Sequence, residues 1–332
     1  MSRNMKAFMN KIVCLALVAF TFASAWAQTS QLEEKTLPVG DFASVSVTDD
    51  FEVSLVKGAC GVKVTTEKDL FPYIQVYVRS KVLYITYDEK SVPKEIRKNY
   101  RSKGSSSPVF RAVVYLPEIS GITLANNVTL TSSDEFKSNS FEMNLGDKSQ
   151  VRNLSLRTGN AVISMKKNAQ ATLTVRADNR LDVNADGNAN LKLTAESPEM
   201  VMNFTGSSDA VIVSEGKTSS LTMAGSANVS LAHKKAEKFV LQMGGTSKLN
   251  LSGEAELLQV KGERSALVEA NDFSVKKLEA NLNGGIRVNV AVSEKIDATL
   301  VGGSAVYYTG TPTIQIGKII KSTLAPYGST AK

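Results

Sequence analysis

Between Pro117 and Tyr308 one unit repeats: a short turn of Gly, Asn, Ser or Asp, then an apolar–polar–apolar strand, about every 20 residues. The turns read Ala125-Asn126-Asn127, Gly146-Asp147-Lys148, Lys167-Asn168-Ala169, Asp186-Gly187-Asn188 and Gly206-Ser207-Ser208. They continue as Gly225-Ser226-Ala227, Gly244-Gly245-Thr246, Gly262-Glu263-Arg264, Gly284-Gly285 and Gly302-Gly303-Ser304. Strand positions follow at Val128, Val151, Ala171, Leu191, Val211, Val229, Leu249, Leu267, Val288 and Val306. A unit this short cannot bury its own apolar face, so successive units must stack into a solenoid. Segments such as Leu249-Asn250-Leu251 and Val288-Asn289-Val290 alternate with period two, which makes the units β in type. No repeat carries a leucine-rich consensus or room for a helix, and a propeller blade needs about 40 residues.

The expected fold is therefore all-β: a single-stranded β-helix, or β-solenoid, with about 20 residues per coil. Ten coils at about 4.8 Å each make a rod of roughly 48 Å. Stacked coils need a left-handed backbone at a fixed corner, which only glycine adopts freely. Gly187, Gly206, Gly225, Gly245, Gly262, Gly284 and Gly302 are the expected corner residues. Between Pro117 and Val306 there is no Tyr or Trp and only five Phe, as a thin core requires.

Domain boundaries follow from changes in texture. Residues 1–27 read as a signal peptide, 28–36 as a linker and 37–317 as the solenoid. Within the solenoid, 37–118 form an aromatic-rich, irregular start and 119–310 the regular coils; 318–332 are a C-terminal cap or tail. Open solenoid ends would template aggregation, so the aromatic start and the Pro312–Pro326 segment are expected to cap them. The start is interrupted by a charged loop, 88–107, that the repeat does not explain. Lys94, Arg97, Lys98 and Arg101 lie there, and an anionic glycan or glycolipid is the partner such cations fit.

The signal assignment rests on Arg3, Lys6 and Lys11, an apolar run from Ile12 to Phe22, and Ala25-Trp26-Ala27 before Gln28. That run is shorter than the roughly 20 residues a membrane helix needs, and no later stretch qualifies. The mature chain is expected to lack a transmembrane segment and to be exported through the inner membrane. Its destination would be the periplasm, the outer membrane or the cell surface. Removal of the signal takes three cations from a formal net charge of +7, leaving too weak a bias for nucleic-acid binding. It also takes Cys14, so Cys60 has no partner for a disulfide within the chain and reads as a small core residue.

Motifs for chemistry are scarce. Asp182-Val183-Asn184-Ala185-Asp186-Gly187 opens like a calcium loop, but Leu193 stands where a bidentate Glu is required. Glu215-Gly216-Lys217-Thr218 lacks the upstream glycine of a phosphate loop and reads as a turn. His233, the only histidine, reads as a solvated turn residue. No catalytic residue, metal site or cofactor is expected. Polysaccharide cleavage, the enzyme class that shares the β-helix, would need a recurring outward Asp/Glu cluster, and the sequence suggests none.

The Leu37-Pro38-Val39 to Phe51-Glu52-Val53 opening, the Gly-Ser turns and the closing Gly303-Ser304-Ala305-Val306-Tyr307-Tyr308-Thr309-Gly310-Thr311-Pro312 resemble the GIN-domain family of adhesin heads. The resemblance spans Leu37 to Gly317 and implies a right-handed β-helix exported to a Gram-negative envelope, with no catalytic residues. The expected function is a non-catalytic, adhesin-like binding module. A glycan-cleaving enzyme and a structural envelope spacer are the alternatives.

Overall fold

Gln150 lies beside Gln170 in a parallel ladder, and the same ladder runs on through Asn190, Asp209, Asn228, Lys248, Leu267, Arg287, Ala305 and Thr323. A second parallel ladder runs from Asn160 through Arg180, Glu199, Thr218 and Lys238 to Leu257, Lys277, Lys295 and Thr313. These ladders are the two walls of a β-solenoid of about 10 turns, seen in a computed structural model that describes residues 31–101 and 107–328. Each coil thus holds two strands and two corners. Asn190–Glu196 and Glu199–Phe204 make one coil, with Ser197-Pro198 as its second corner.

Stacking in register sets the core. Val151, Ala171, Leu191, Ala210, Val229, Leu249, Val268, Val288 and Val306 form one buried column. The strict spacing places Val211 and Leu267 in this column; the coils range from 20 down to 18 residues, and a one-residue slip turns a side chain outward. Val211 is 56% exposed as a result.

The first corner is built on positive φ, at Gly187, Gly206, Gly225, Gly245, Gly284 and Gly302. Gly262 does not sit there. The corner residue of its coil is Arg264, with φ 76°, stacked on Gly284. Gly262 is buried in a strand, where an added Cβ would meet Ile286 Cδ1 at 2.5 Å. Asn126, Asn127, Asp147, Lys148 and Lys167 hold positive φ in the earlier corners.

The first coil, Ser44–Thr48 and Glu52–Lys57, pairs directly with Gly121–Ala125 and Thr129–Ser132, so residues 58–118 leave the coil and return. Outside that coil the ladders turn antiparallel. Val82–Tyr87 pairs with Ile74–Arg79, and Arg111–Leu116 with Gly61–Glu67, which in turn pairs with Leu32–Leu37. The presumed linker therefore contains a strand. The charged segment is likewise not all loop, since Lys94–Arg101 is a helix, α1, with Ile96 and Tyr100 packed against the core. At the opposite end Thr313–Ile320 and Thr323–Pro326 continue both ladders, so these residues form a further coil in place of a cap.

Candidate functional site

The flat walls mix outward amides and hydroxyls with charged side chains and with the exposed Val162, Val211 and Val213. Asn184, Asn203 and Thr222 follow one another on one wall, and Asn203 Nδ2 donates to Asn184 Oδ1 at 2.9 Å. The second corner differs. There Arg157 stacks on Arg176, Arg176 on Glu196, and Glu196 on Glu215, all in register. Glu215 is bound by Lys234 at 2.9 Å, Arg176 reaches Glu196 at 3.2 Å, and Lys276 reaches Glu256 at 3.1 Å. The two like-charge steps, Arg157 on Arg176 and Glu196 on Glu215, are destabilising contacts between neighbouring strands.

Arg157, Arg176, Glu196, Glu215 and Glu256 line a cleft of about 540 Å³ that also takes in Asp178, Lys217, Lys235 and Glu237. A second cleft of about 330 Å³ shares Lys235 and Glu256 and runs on past Ser274 and Ser293 to Gly310. Together they follow the corner from Arg157 to Gly310, roughly 38 Å at the usual strand spacing. The sequence reading tracked only the glycine corner and missed this charged one. Its recurrent carboxylates correct the expectation that no outward acidic cluster exists. The signal that could have found them is spacing, because Arg157, Arg176, Glu196 and Glu215 recur at the coil period.

His233 lies beneath this groove, not in a solvated turn. It is fully buried in the strand Asn228–Met243, edge-on to Phe239 with ring centroids 5.5 Å apart. Its register partner is Ser214, whose hydroxyl donates to Nδ1 at 2.7 Å, while Nε2–H donates to the Gly216 carbonyl at 3.3 Å. That pairing fits a neutral ring, and burial depresses its pKa. Ser214 is buried too, so the pair is no exposed nucleophile and base.

The basic residues singled out in sequence lie at the N-terminal end of the rod, away from the groove. Arg101 pairs with Glu89, and Arg97 lies close enough to Tyr87 to act on its phenol. The Tyr100 hydroxyl donates to Asp69 at 2.6 Å; burial and that carboxylate hold its pKa well above the usual phenol range. Lys94, Arg97, Lys98 and Arg101 all belong to one short helix. The calcium-like segment is the end of the strand Gln170–Ala185 running into a first corner at Asp186-Gly187; Asp186 accepts from the Thr205 hydroxyl and Asp182, in the strand, binds Arg180 at 2.8 Å. Glu215 to Thr218 form a second corner, closed by Lys217 N–H to Pro198 O at 3.1 Å. Cys60 is half-buried against the core, its thiol 3.5 Å from the Phe42 carbonyl. Among the described residues no group of three His, Cys, Asp or Glu is placed to hold a metal ion, and no helix is long and apolar enough to cross a membrane. The expected signal peptide, 1–27, lies outside the described residues.

No curated protein sequence matches the chain. Among solved structures it is similar to a putative adhesin from Parabacteroides distasonis, at 16% identity over 90% of this chain and 98% of that one, with a TM-score of 0.38. It is also similar to a putative adhesin from Bacteroides fragilis, at 13% identity over 90% and 98%, with a TM-score of 0.32. A further similar structure is titled a putative lipid binding protein from Parabacteroides distasonis, at 16% identity over 90% and 95%, with a TM-score of 0.30. The family described as "Putative auto-transporter adhesin, head GIN domain" matches residues 41–213 and 172–312, and the chain belongs to that family.

Proposed function

We propose that the protein is an exported, non-catalytic binding module of the bacterial envelope or cell surface, and that it seats a linear glycan along the second-corner groove. The observation that carries this reading is the stacked run Arg157, Arg176, Glu196, Glu215. Like charges held one strand apart lower stability, and such costs gather where a site needs them. The groove offers cations (Arg157, Arg176, Lys217, Lys235) and carboxylates (Asp178, Glu196, Glu215, Glu237, Glu256) in close to equal number. Sugar hydroxyls both donate and accept, so a polyhydroxylated chain uses both kinds of group, whereas a polyanion would meet the carboxylates. Direct binding of purified envelope and host polysaccharides by calorimetry tests the reading. Arg157→Ser/Lys217→Ser/Lys235→Ser should weaken glycan binding at least tenfold, with the fold intact. Equal binding by that variant would remove the groove from the account, and release of new reducing ends would move it to the enzyme class.

The cations of α1 support a second contact, with anionic glycolipid or polysaccharide. Each exposed Lys or Arg near an anionic surface contributes about 1 kcal/mol, and salt screens the effect. Cosedimentation with outer-membrane vesicles should fall when Lys94, Arg97, Lys98 and Arg101 are all changed to Ser. Salt-insensitive, equal partitioning of both proteins would leave α1 as part of the end cap alone.

A further inference from the structure

One inward column beneath the second-corner groove is not apolar throughout. Val175, Ala195, Ser214, His233, Gly253 and Phe273 stack in register, and the two polar side chains, both buried, fall together at its centre. A buried hydroxyl and a buried imidazole cost free energy unless each finds a partner. Here they partner each other at 2.7 Å, and the other ring nitrogen reaches to the preceding coil, to the Gly216 carbonyl at 3.3 Å. Gly253 brings no side chain to the column, which leaves the imidazole its space. Gly216 belongs to the corner Glu215 to Thr218, which is also closed by the Lys217 and Thr218 N–H groups donating to the Pro198 carbonyl at 3.1 and 3.0 Å. Glu215 and Lys217, on either side of Gly216, line the groove. The His233 ring is thus the inward anchor of a corner whose outward side is the binding surface.

We propose that His233 and Ser214 are positioning residues of the groove: as a neutral, hydrogen-bonded pair they fix the corner that presents Glu215 and Lys217, and a proton taken up by the ring releases it. The inference rests on the groove as the binding site. In the neutral ring Nδ1 accepts from the Ser214 hydroxyl while Nε2–H donates to Gly216. A proton added at Nδ1 turns that acceptor into a donor, so the Ser214 hydroxyl hydrogen must find another acceptor. It also leaves a cation among Phe239, Phe273 and the apolar column, where burial already favours the neutral ring. The charged groups about the ring are Glu215 on the preceding coil, itself bound by Lys234 at 2.9 Å, Lys217 and Lys235 in the corners, and Glu254 beside Gly253 on the following coil. Of these Glu215 favours the charged ring, but less than burial opposes it. The charge is relieved when the ring turns toward the groove and water, a movement that gives up the Gly216 bond and frees the corner. A glycan held by Glu215 and Lys217 needs that corner closed, so binding and protonation oppose each other by linkage.

Amide hydrogen exchange of the unliganded protein, corrected for intrinsic rates, tests the switch between about pH 7.5 and about pH 4.5, a span that brackets an ordinary histidine. Protection over residues 214–218 should fall at least tenfold on acidification in the wild type, with the first corner around Gly225 unchanged. His233→Gln, which keeps a donor for Gly216 and takes no charge, should show no such fall. Calorimetry with the panel of purified envelope and host polysaccharides tests the positioning role. On acidification wild-type affinity should drop at least fivefold, and that of His233→Gln less than twofold. At neutral pH His233→Leu, which has no donor for Gly216, should bind at least fivefold more weakly than His233→Gln. Steady protection over 214–218 in the wild type, the same fall in His233→Gln, or one pH profile of affinity for both would each overturn the inference. Should none of the panel bind at neutral pH, the groove reading fails, and the exchange measurement still decides the switch.

Discussion

At Gly225 a side chain has nowhere to go. Its φ is +73°, and an added Cβ would stand 2.5 Å from the Gly206 carbonyl oxygen of the coil before. Left-handed strain alone costs on the order of 1–3 kcal/mol, and the backbone overlap adds to it. Gly225→Val should lower the denaturation midpoint accordingly, and an unchanged midpoint would mean the corner can relax. Ser219 makes the opposite case. It stands in the core column between Met200 and Phe239, buried, and its hydroxyl finds no partner among the described residues. Ser219→Ala should stabilise the protein by about 1 kcal/mol in chemical denaturation, because a buried hydroxyl without a partner costs about that much. His233 makes stability depend on pH. Its folded pKa lies below that of the unfolded chain, so the unfolded state binds more protons as acid is added. Its contribution is therefore whole above about pH 6.5 and declines as pH falls below it. His233→Gln should remove that component from a pH series of denaturation midpoints.

The first corner was legible in sequence because glycine holds its positive φ in six of the coils, with Asn, Asp or Lys in the earlier ones. Arg264 escaped notice because that coil holds a positive φ without glycine. The second corner carries no common residue: Ser197-Pro198, Gly216-Lys217, Lys234-Lys235 and Gly253-Glu254 all turn the chain there. The groove was hidden for that reason, and His233 with it, since an inward side chain at an unrecognised corner reads as a loop residue. The helix α1 escaped because eight residues cannot show a sustained apolar stripe; only Ile96 and Tyr100 face the core. Their role in holding α1 is open to test at the scale of the element. Tyr100→Phe removes the bond to Asp69 and should cost about 1 kcal/mol. The four-fold Ser variant of the cations should cost less, because an exposed pair such as Arg101–Glu89 contributes little.

For the molecule as a whole, the sequence set out a stack of coils, and the period alone was enough because each coil contacts only its neighbours. The two ends were not legible in the same way. The antiparallel additions at the N-terminal end join segments far apart in sequence, and Thr313–Ile320 with Thr323–Pro326 continues the ladders without a turn signal of the usual kind. The groove belongs to this scale as well, since no single coil contains it. Hydrogen-exchange footprinting of the protein with a bound glycan tests it directly. The account predicts protection recurring once per coil at the second corner, around Arg157, Arg176, Glu196, Glu215 and Lys235, with the first corner unchanged. Protection confined to α1 or to the flat walls, with the second corner exchanging as freely as before, would contradict it.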